Sequence, residues 1–309
     1  MSNLLSEHLP QYGCVDGDSN TWIRKPSYNA RGYGIFCINK RTDVLNMFFK
    51  KASGPKIIQK YIERPLLIKN LNPNNPRDLR KFDIRQWVLL MSIEPTPEEQ
   101  EKLLQKGLIQ TPHPQVYVYK DAYLRLCGKS FDINKLDDLQ RHLSNFSIQK
   151  DLLKEAIGIG RESSGPPPTN YTFEHNHDYA DSEMNAEAYQ TYNSPFLKDS
   201  AARQEFVMST TEFVKLINDE KLYPELNALR AQQKGNMFTW EHTFYPQIEN
   251  VCRHVFEKMS EVFEDNQNCF ELFGFDFIID ASLKCWLLEA NMSPACSERQ
   301  TQAWFQEMT

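Results

Sequence analysis

The sequence predicts an α+β fold, in which mixed or antiparallel β-sheets are flanked by helices. Three observations lead to this class. Several short runs rich in β-branched and aromatic residues are bounded by Pro, Gly and Asn, as strands usually are. One segment in the last quarter of the chain carries a helical apolar stripe instead. The order of these segments is irregular, and no internal repeat is visible, which favours α+β over a regular alternation of strands and helices.

The composition indicates a protein with a sizeable core. The 309 residues are 40% hydrophobic and 12% aromatic, enough for one large domain or two lobes. No apolar run approaches the ~18 residues of a membrane span, and the first residues do not have the pattern of a signal peptide. We therefore expect an intracellular protein without membrane association. The seven cysteines lack CxxC spacing, so reduced thiols are predicted rather than a disulfide or zinc framework.

The net charge of -6 argues against general nucleic-acid binding. The charge is unevenly distributed, because residues 1–85 hold 15 Lys and Arg against 7 Asp and Glu. A basic segment in an acidic protein fits a local site for phosphates or an acidic peptide. Two solvated surfaces of opposite sign would explain the same numbers, and charge alone favours that simpler explanation.

Five strand-like segments are predicted in the first 127 residues. They are NTWIRKP, IFCI, KIIQKYIERPLLI with a break at Pro65, KFDIRQWVLLMSI, and QVYVYKDAYLRLC, which we predict to be a hairpin. Residues 1–19 are predicted to be an irregular tail. Two polar insertions are predicted near 94–114 and 161–195, the first with a short helical stretch and the second too rich in Pro to pack.

A helix is predicted for residues 241–265. Its apolar residues recur at helical spacing and form one stripe: Ile248, Val251, Cys252, Val255, Phe256 and Met259.

The last predicted element is a hairpin made of ELFGFDFIID, the loop ASLK and KCWLLEAN. Because side chains alternate along a strand, Phe273, Phe275, Phe277 and Ile279 should share one face. On the return strand, Cys285, Leu287, Glu289 and Asn291 should share a face. Closing the hairpin around residues 282 and 283 sets Asp276 opposite Glu289 and Gly274 opposite Asn291.

This pairing brings two carboxylates and an amide onto one face of the hairpin. Like charges that face each other across a strand pair are unfavourable unless something positive lies between them. Carboxylate and amide oxygens are ligands that Mg²⁺ accepts, with substrate phosphates completing its shell. The sequence therefore predicts a metal site at Asp276, Glu289 and Asn291, in preference to a polar face that only repels mildly in water.

Other segments could bind anions or a nucleotide. Lys81, Asp83 and Arg85 alternate along one strand, where Arg could clamp a phosphate or carboxylate, although a salt-bridged exposed face is at least as well supported. Lys25 ends a strand before a small-residue loop with Arg31, whose backbone could approach phosphates. The segment QKYIERP offers main-chain donors for a base. No P-loop or Rossmann glycine pattern is present.

Six blocks, in order along the chain, resemble the tubulin tyrosine ligase-like enzymes, which have the ATP-grasp fold. They are WIRKPSYNARGYGI, IIQKYIERPLLI, KFDIRQWVLL, YVYKDAYLRLC, HLSNFSIQK and FELFGFDFIIDASLKCWLLEANMSPAC. The resemblance covers most of residues 20–299. It implies that residues 20–64 form a central lobe and residues 65–309 a C-terminal lobe, with the nucleotide between two lobes. Most of the family's N-terminal lobe is expected to be missing before residue 20.

The resemblance also implies a role for each candidate residue. Arg85 and Arg125 would position the phosphoryl group and the acceptor carboxylate. Asp276, Glu289 and Asn291 match the family's Mg²⁺ ligands. The remaining residues would contact ATP: Lys25, Arg31, Gln59, Lys60, Tyr61, Ile62, Lys81, Asp83, Ser144 and Asn145.

The family's reaction implies ATP and Mg²⁺ as cofactors, a tubulin tail as acceptor and a free amino acid as the group added. The blocks look most like the glycine-adding branch, which implies glycylation of glutamate side chains on microtubules of cilia or flagella, in the cytoplasm and cytoskeleton. Two alternatives stay open: a tubulin polyglutamylase of the same family, and a non-catalytic module that binds tubulin and ATP. The retention of all the charged candidate residues favours a ligase.

Overall fold

The computed structural model describes about half of the chain. These residues are 21–26, 32, 34–39, 55–69, 78–92, 97–105, 115–145, 148–149, 206–233, 235, 237–259 and 269–292. Their contacts divide the chain into two compact units. Unit 1 is Met1–Phe82 with Arg125–Met208, and unit 2 is Asp83–Leu124 with Ser209–Thr309. The lobe boundaries predicted from the sequence, at residues 19/20 and 64/65, stay a prediction.

Unit 1 contains a three-stranded sheet. Its strands are β1 (Trp22–Pro26), β2 (Phe36–Ile38) and β3 (Lys56–Lys60), in the order β2-β1-β3. Both pairings are antiparallel. Ile23 packs with Tyr61 and Leu143 in a buried cluster, so one face of the sheet covers a small core. These strands confirm the predictions made for NTWIRKP, IFCI and the first part of KIIQKYIERPLLI.

The second sheet holds six strands. They are β4 (Leu67–Ile68), β5 (Arg80–Ser92), β6 (Gln115–Leu126), β7 (Val207–Ser209), β8 (Cys269–Ile279) and β9 (Cys285–Met292). The order is β7-β6-β5-β8-β9, and β4 pairs with β5. The β4–β5, β5–β8 and β8–β9 pairs are antiparallel. Antiparallel sheets together with a few helices agree with the predicted α+β class.

The prediction of a hairpin for QVYVYKDAYLRLC is wrong, because β6 is one continuous strand. Its centre has the polar pair Lys120-Asp121 but lacks the Gly or Asn that a tight hairpin turn requires. The buried side chain of Gln86 also binds this region, since its Nε2 donates to Tyr119 O at 2.6 Å and Asp121 O at 3.4 Å. The polar pair is therefore accommodated within an extended strand.

The helices in the described part of the chain are short except for the last of them. They are α1 (Pro97–Gln105), α2 (Thr210–Ile217), α3 (Asn227–Arg230) and α4 (Tyr245–Met259), with a π-helical turn at Trp240–Phe244 before α4. Helix α2 begins at a capping box, in which Ser209 and Glu212 satisfy each other's backbone N–H groups. Helix α1 falls within the insertion predicted at 94–114. The insertion at 161–195 and the tail at 1–19 lie outside the described residues.

Helix α4 confirms the predicted apolar stripe. Ile248, Cys252 and Phe256 are buried. The Phe256 ring lies 5.3 Å from that of Phe273 and 5.7 Å from that of Phe275. The helix therefore covers the phenylalanine face of β8. Burying aromatic side chains of this size stabilises the unit strongly and fixes which face of β8 is left for polar groups.

The cysteines in the described part of the chain are all free thiols: Cys37, Cys127, Cys252, Cys269 and Cys285. This agrees with the prediction of reduced thiols for these five. Burial raises the pKa of Cys37 to about 11 and the pKa values of Cys252 and Cys285 to about 12, so these thiols stay protonated at neutral pH. Among the described residues, no helix has the length and apolar character needed to cross a membrane.

Candidate active site

The register of the β8–β9 hairpin confirms the pairing predicted from the sequence. Asp276 lies opposite Glu289, and Gly274 lies opposite Asn291. One detail of the prediction is wrong. The register shifts between Asp276 and Phe277, which pairs with Leu287, so that Leu288 is an extra residue on β9. This β-bulge reverses the alternation of side chains along β9.

The bulge separates the four β9 residues that were predicted to share a face. Residues opposite each other in an antiparallel pair point to the same side of the sheet. Leu287 and Cys285 lie opposite Phe277 and Ile279, on the apolar side, whereas Glu289 and Asn291 lie on the side of Asp276. The bulge therefore lets one strand contribute apolar side chains to the core and polar side chains to the site.

Asn291 joins the polar groups of the hairpin. Its Nδ2 lies 3.3 Å from Asp276 Oδ2, 3.3 Å from Glu289 Oε1 and 3.3 Å from the carbonyl oxygen of Gly274. Asp276 is only 2% exposed. The amide nitrogen thus donates towards both carboxylates and reduces their mutual repulsion.

Arg85 completes the cluster from β5, where it lies directly opposite Asp276. Its Nε is 2.6 Å from Asp276 Oδ1 and its Nη2 is 3.2 Å from Asp276 Oδ2. The contact at Nη2 is a hydrogen bond and the contact at Nε is an ion pair, and together they hold the two charged groups against each other. The three strands β5, β8 and β9 therefore carry a row of Arg85, Asp276 and Glu289, with one positive and two negative charges.

The residues of this cluster fit a hard divalent cation. Two carboxylates and an amide are available, and a half-turn of the Asn291 amide would present its oxygen in place of its nitrogen. No group of three or more His, Cys, Asp and Glu residues suited to a metal occurs in the described part of the chain. Two carboxylates and one amide are fewer ligands than Mg²⁺ takes, and substrate phosphates and water can complete the shell of this ion. Arg85 and the Asn291 amide also explain how the carboxylates tolerate each other without a cation.

Unit 1 holds a second polar cluster, centred on the buried side chain of Lys81. The Lys81 Nζ donates to Tyr61 Oη at 2.8 Å and to the carbonyl oxygen of His142 at 2.8 Å. It also lies 4.3 Å from the centre of the Tyr61 ring. Lys81 is 7% exposed and Tyr61 is 4% exposed. Burial of an ammonium is unfavourable unless acceptors compensate it, and these two groups supply them.

His142 extends this cluster. Its Nδ1 lies 2.9 Å from Tyr61 Oη, and its Nε2 lies 2.8 Å from the carbonyl oxygen of Lys135. Burial lowers the pKa of His142 to about 4; the hydrogen bond to Lys135 and the charge of Asp138 act against the shift, and the charges of Lys81 and Arg141 add to it. Burial also raises the pKa of Tyr61 well above its usual value. Both rings are therefore uncharged at neutral pH.

The predicted nucleotide residues on β1 and β3 divide between two faces. Gln59 lies opposite Ile23, and Lys25 lies opposite Ile57, so Lys25 and Gln59 share the face of the buried Ile23. Lys60 lies on the other face. Its Nζ is 2.5 Å from Glu63 Oε1 and 3.1 Å from the carbonyl oxygen of Thr21. The Lys60 side chain is therefore engaged within the unit, and Ile62 follows it outside the strand.

Gly32 and Asn145 come close together in unit 1. Gly32 has a φ of 80°, and a Cβ at this position would lie 3.3 Å from Asn145 Oδ1 and 2.7 Å from Ile148 Cδ1. Only glycine combines this conformation with this clearance. The structure thus brings Gly32 of the predicted loop close to Asn145 of the HLSN block.

The remaining predicted residues are placed as follows. Ser144 is buried in unit 1, Arg125 is half-buried on β6 in unit 1, and Asp83 is buried on β5 in unit 2. Arg31 lies outside the described residues.

Sequence reasoning missed the side chains of Tyr61 and His142. Tyr61 was singled out for its main chain, and the HLSN block for Ser144 and Asn145 alone. A signal was available, because a tyrosine within an apolar strand segment needs a partner for its hydroxyl. Nothing in the sequence indicated that this partner would be a histidine 81 residues away.

Comparison with known proteins places the chain in a family. The model of the tubulin-tyrosine ligase family matches residues 4–97, 108–218 and 204–306. The chain therefore belongs to the tubulin-tyrosine ligase family. This agrees with the resemblance seen in the sequence blocks.

Three curated relatives illustrate the similarity. Tubulin glycylase 3E of Tetrahymena thermophila is 27% identical over 94% of this chain and 15% of its own length. Mouse protein monoglycylase TTLL8 is 26% identical over 91% of this chain and 24% of its own length. Mouse tubulin monoglycylase TTLL3 is 26% identical over 94% and 23%. The chain thus spans a quarter or less of each of these relatives.

Proposed function

We propose that this chain is an ATP-dependent carboxylate–amine ligase that adds glycine to glutamate side chains of tubulin tails. The observation that carries the proposal is the convergence of Asp276, Glu289 and Asn291 on one sheet face beside Arg85. The names of the relatives support tubulin as the acceptor and glycine as the added amino acid. Family membership supports the ATP-grasp fold and the use of ATP.

Asp276, Glu289 and Asn291 would hold Mg²⁺, which when bound neutralises phosphate charge and polarises the γ-phosphoryl group of ATP. Arg85 has two functions in this proposal. Its guanidinium fixes Asp276 through two contacts, at 2.6 and 3.2 Å. It also keeps a positive charge next to the place where negative charge develops in phosphoryl transfer.

The nucleotide would be bound mainly by residues of unit 1. Lys25 and Gln59 share a sheet face, and the main chain at Gln59, Lys60, Tyr61 and Ile62 could bind the base. Lys81 would contact phosphate, and Ser144, Asn145 and Arg31 would lie near the nucleotide. Asp83 would also contact the nucleotide. The placement of the nucleotide between two lobes is part of this proposal.

The proposed reaction needs positioning and charge neutralisation rather than a covalent enzyme intermediate. A carboxylate oxygen of the acceptor glutamate attacks the γ-phosphorus of ATP, forming an acyl phosphate and releasing ADP. The amine of the amino acid then attacks the acyl carbon, phosphate leaves, and the amine loses a proton as the amide forms. Arg85 and Arg125 would hold the transferring phosphoryl group and the acceptor carboxylate.

The test uses the purified 309-residue chain with microtubules, ATP and radiolabelled glycine. Wild-type protein should incorporate glycine into tubulin only when ATP and Mg²⁺ are present. Glu289→Gln should reduce incorporation by at least ~100-fold, the order of loss expected for a group that stabilises transferring charge. The matched control is Glu257→Gln on α4, where Glu257 forms an exposed pair with Arg253, and this variant should keep full activity.

The other outcomes distinguish the alternatives. Incorporation of glutamate instead of glycine would make the chain a polyglutamylase of the same family. ATP and microtubule binding without incorporation of either amino acid would make it a non-catalytic module. A Glu289→Gln variant with full turnover would contradict the metal assignment. A ligase with this acceptor would act in the cytoplasm on the cytoskeleton, and a glycylase on the axoneme of a cilium or flagellum.

A further inference from the structure

In the cluster around Lys81, the hydrogen-bond partners determine which atom donates and which accepts. His142 Nε2 faces the carbonyl oxygen of Lys135 at 2.8 Å. A carbonyl only accepts, so Nε2 must carry the proton. In a neutral imidazole Nδ1 is then an acceptor, and the Tyr61 hydroxyl, 2.9 Å away, must donate to it.

The direction of the second hydrogen bond follows from the first. With its proton committed to His142, the Tyr61 oxygen faces Lys81 Nζ at 2.8 Å as an acceptor. The hydrogen bonds therefore run from Lys81 Nζ to Tyr61 Oη, from Tyr61 Oη to His142 Nδ1, and from His142 Nε2 to the carbonyl oxygen of Lys135. The direction of donation is fixed in each of the three. The ammonium also donates to the carbonyl of His142. With two of its three N–H bonds directed to fixed acceptors, the direction of the third is fixed as well.

The packing around Tyr61 and His142 explains why these hydrogen bonds keep a fixed geometry. The Tyr61 ring packs with Ile23 and Leu143, and the His142 ring makes edge contacts with Tyr61 at 5.8 Å and Phe131 at 5.6 Å. Burying an ammonium in an apolar core is unfavourable unless nearby acceptors compensate it. The Lys81 ammonium lies in an apolar core and is oriented by two acceptors. This indicates that the orientation of the ammonium has a function.

We propose that Tyr61 and His142 are positioning residues that aim the Lys81 ammonium at a nucleotide phosphate. This inference rests on the proposed function, which assigns phosphate to Lys81, and it adds the side chains that were not assigned there. Tyr61 then has two separate contributions. Its main chain serves the base, and its hydroxyl acts on the phosphates through Lys81.

This separation gives a sharp test. Tyr61→Phe removes the hydroxyl and keeps the ring and the main chain. Equilibrium binding of ATP and of adenosine to the full chain should be measured by calorimetry. ATP affinity should fall about ten-fold, as expected for loss of a hydrogen bond to a charged group, while adenosine affinity should be unchanged. His142→Phe, which keeps an aromatic ring but removes the acceptor, should give a smaller loss in the same pattern.

Two controls separate positioning from folding. Tyr117→Phe removes a hydroxyl bound to Gln115 on a side chain that is 52% exposed, and it should leave both affinities unchanged. In a Lys81→Met background, Tyr61→Phe should cause no further loss of ATP affinity, because the hydroxyl acts only through the ammonium. Additive losses would overturn the inference.

The remaining outcomes are also decisive. Equal losses for ATP and adenosine would assign Tyr61 a structural role only and overturn the inference. Unchanged ATP affinity of Tyr61→Phe would overturn the inference, because the hydroxyl would then have no effect through Lys81. Increased ATP affinity would also overturn it, because the hydroxyl would then compete with phosphate for Lys81. Wild-type protein that binds neither ligand would overturn the proposed function and the inference together.

Discussion

Asp276 and Glu289 of unit 2 face each other on adjacent strands, and Arg85 compensates Asp276 with an opposite charge at 2.6 Å. Lys81 of unit 1 donates to two neutral groups, a tyrosine hydroxyl and a main-chain carbonyl, each at 2.8 Å. Asp276 and Lys81, the central residues of the two clusters, are both buried. The two clusters differ in the groups that lose a partner when the cationic side chain is removed. Removal of Arg85 affects a buried carboxylate, whereas removal of Lys81 affects two uncharged acceptors.

This difference has an energetic consequence. An uncompensated buried charge costs several kcal/mol, whereas an unsatisfied neutral acceptor costs about 1–3 kcal/mol. The carboxylate cluster should therefore depend strongly on its arginine, and the lysine cluster only moderately on its lysine. The same contrast fits the proposed roles, because a cluster with a net negative charge attracts a cation and a cluster with a net positive charge attracts a phosphate.

The largest expected effect comes from Arg85→Met. It leaves Asp276 buried without its main positive partner, and we expect the free energy of unfolding to fall by about 3–5 kcal/mol. Urea unfolding followed by fluorescence measures it. Adding Asp276→Asn to the same chain should recover much of the loss. The control Arg253→Met breaks an exposed pair with Glu257 and should cost at most ~0.5 kcal/mol. If Arg85→Met lowered the free energy of unfolding by as little as Arg253→Met, other groups would have to compensate the charge of Asp276.

The next effect is a pH dependence that arises in unit 1. Burial lowers the pKa of His142 to about 4 in the folded chain, against 6.5 for an exposed histidine. The unfolded chain therefore binds a proton first as the pH falls, so stability is fully present above pH 6.5 and declines towards pH 4. The shift corresponds to about 3 kcal/mol. Unfolding free energies of wild type and His142→Phe, compared at pH 7.5 and 4.5, should differ in slope. Parallel slopes would contradict a neutral buried His142.

A smaller effect is expected from Lys81→Met. The substitution removes a buried charge and leaves the Tyr61 hydroxyl and the His142 carbonyl without one partner each. We expect a loss of about 2 kcal/mol in the free energy of unfolding, clearly below that of Arg85→Met. The same urea titration measures both variants. If Lys81→Met were the more costly of the two, the distinction between charged and neutral compensation would be wrong.

The sequence predicted the carboxylate cluster better than the lysine cluster, for a physical reason. Strand alternation and loop length determine which residues face each other within a hairpin, and this placed Asp276 opposite Glu289. The bulge at Leu288 was missed because it depends on how β9 packs rather than on local pattern. Tyr61, Lys81 and His142 meet through tertiary contacts between distant segments, which no local periodicity encodes. The continuous β6 strand was missed for a similar reason, since the Gln86 side chain binds its centre.

The smallest expected effect compares two glycines with nearly the same backbone conformation, one in each unit. Gly32 has a φ of 80° and Gly235 a φ of 72°, so alanine at either position costs about 1 kcal/mol from backbone strain alone. A Cβ at Gly32 would meet Ile148 Cδ1 at 2.7 Å, whereas a Cβ at Gly235 has nothing within 4 Å. Gly32→Ala should therefore cost about 1 kcal/mol more than Gly235→Ala. Because the crowded atoms belong to Ile148 and Asn145, Gly32→Ala should also weaken ATP binding, and Gly235→Ala should not. Equal effects of the two variants on stability and on ATP affinity would show that the Gly32 loop can move away from Asn145 without consequence for the site.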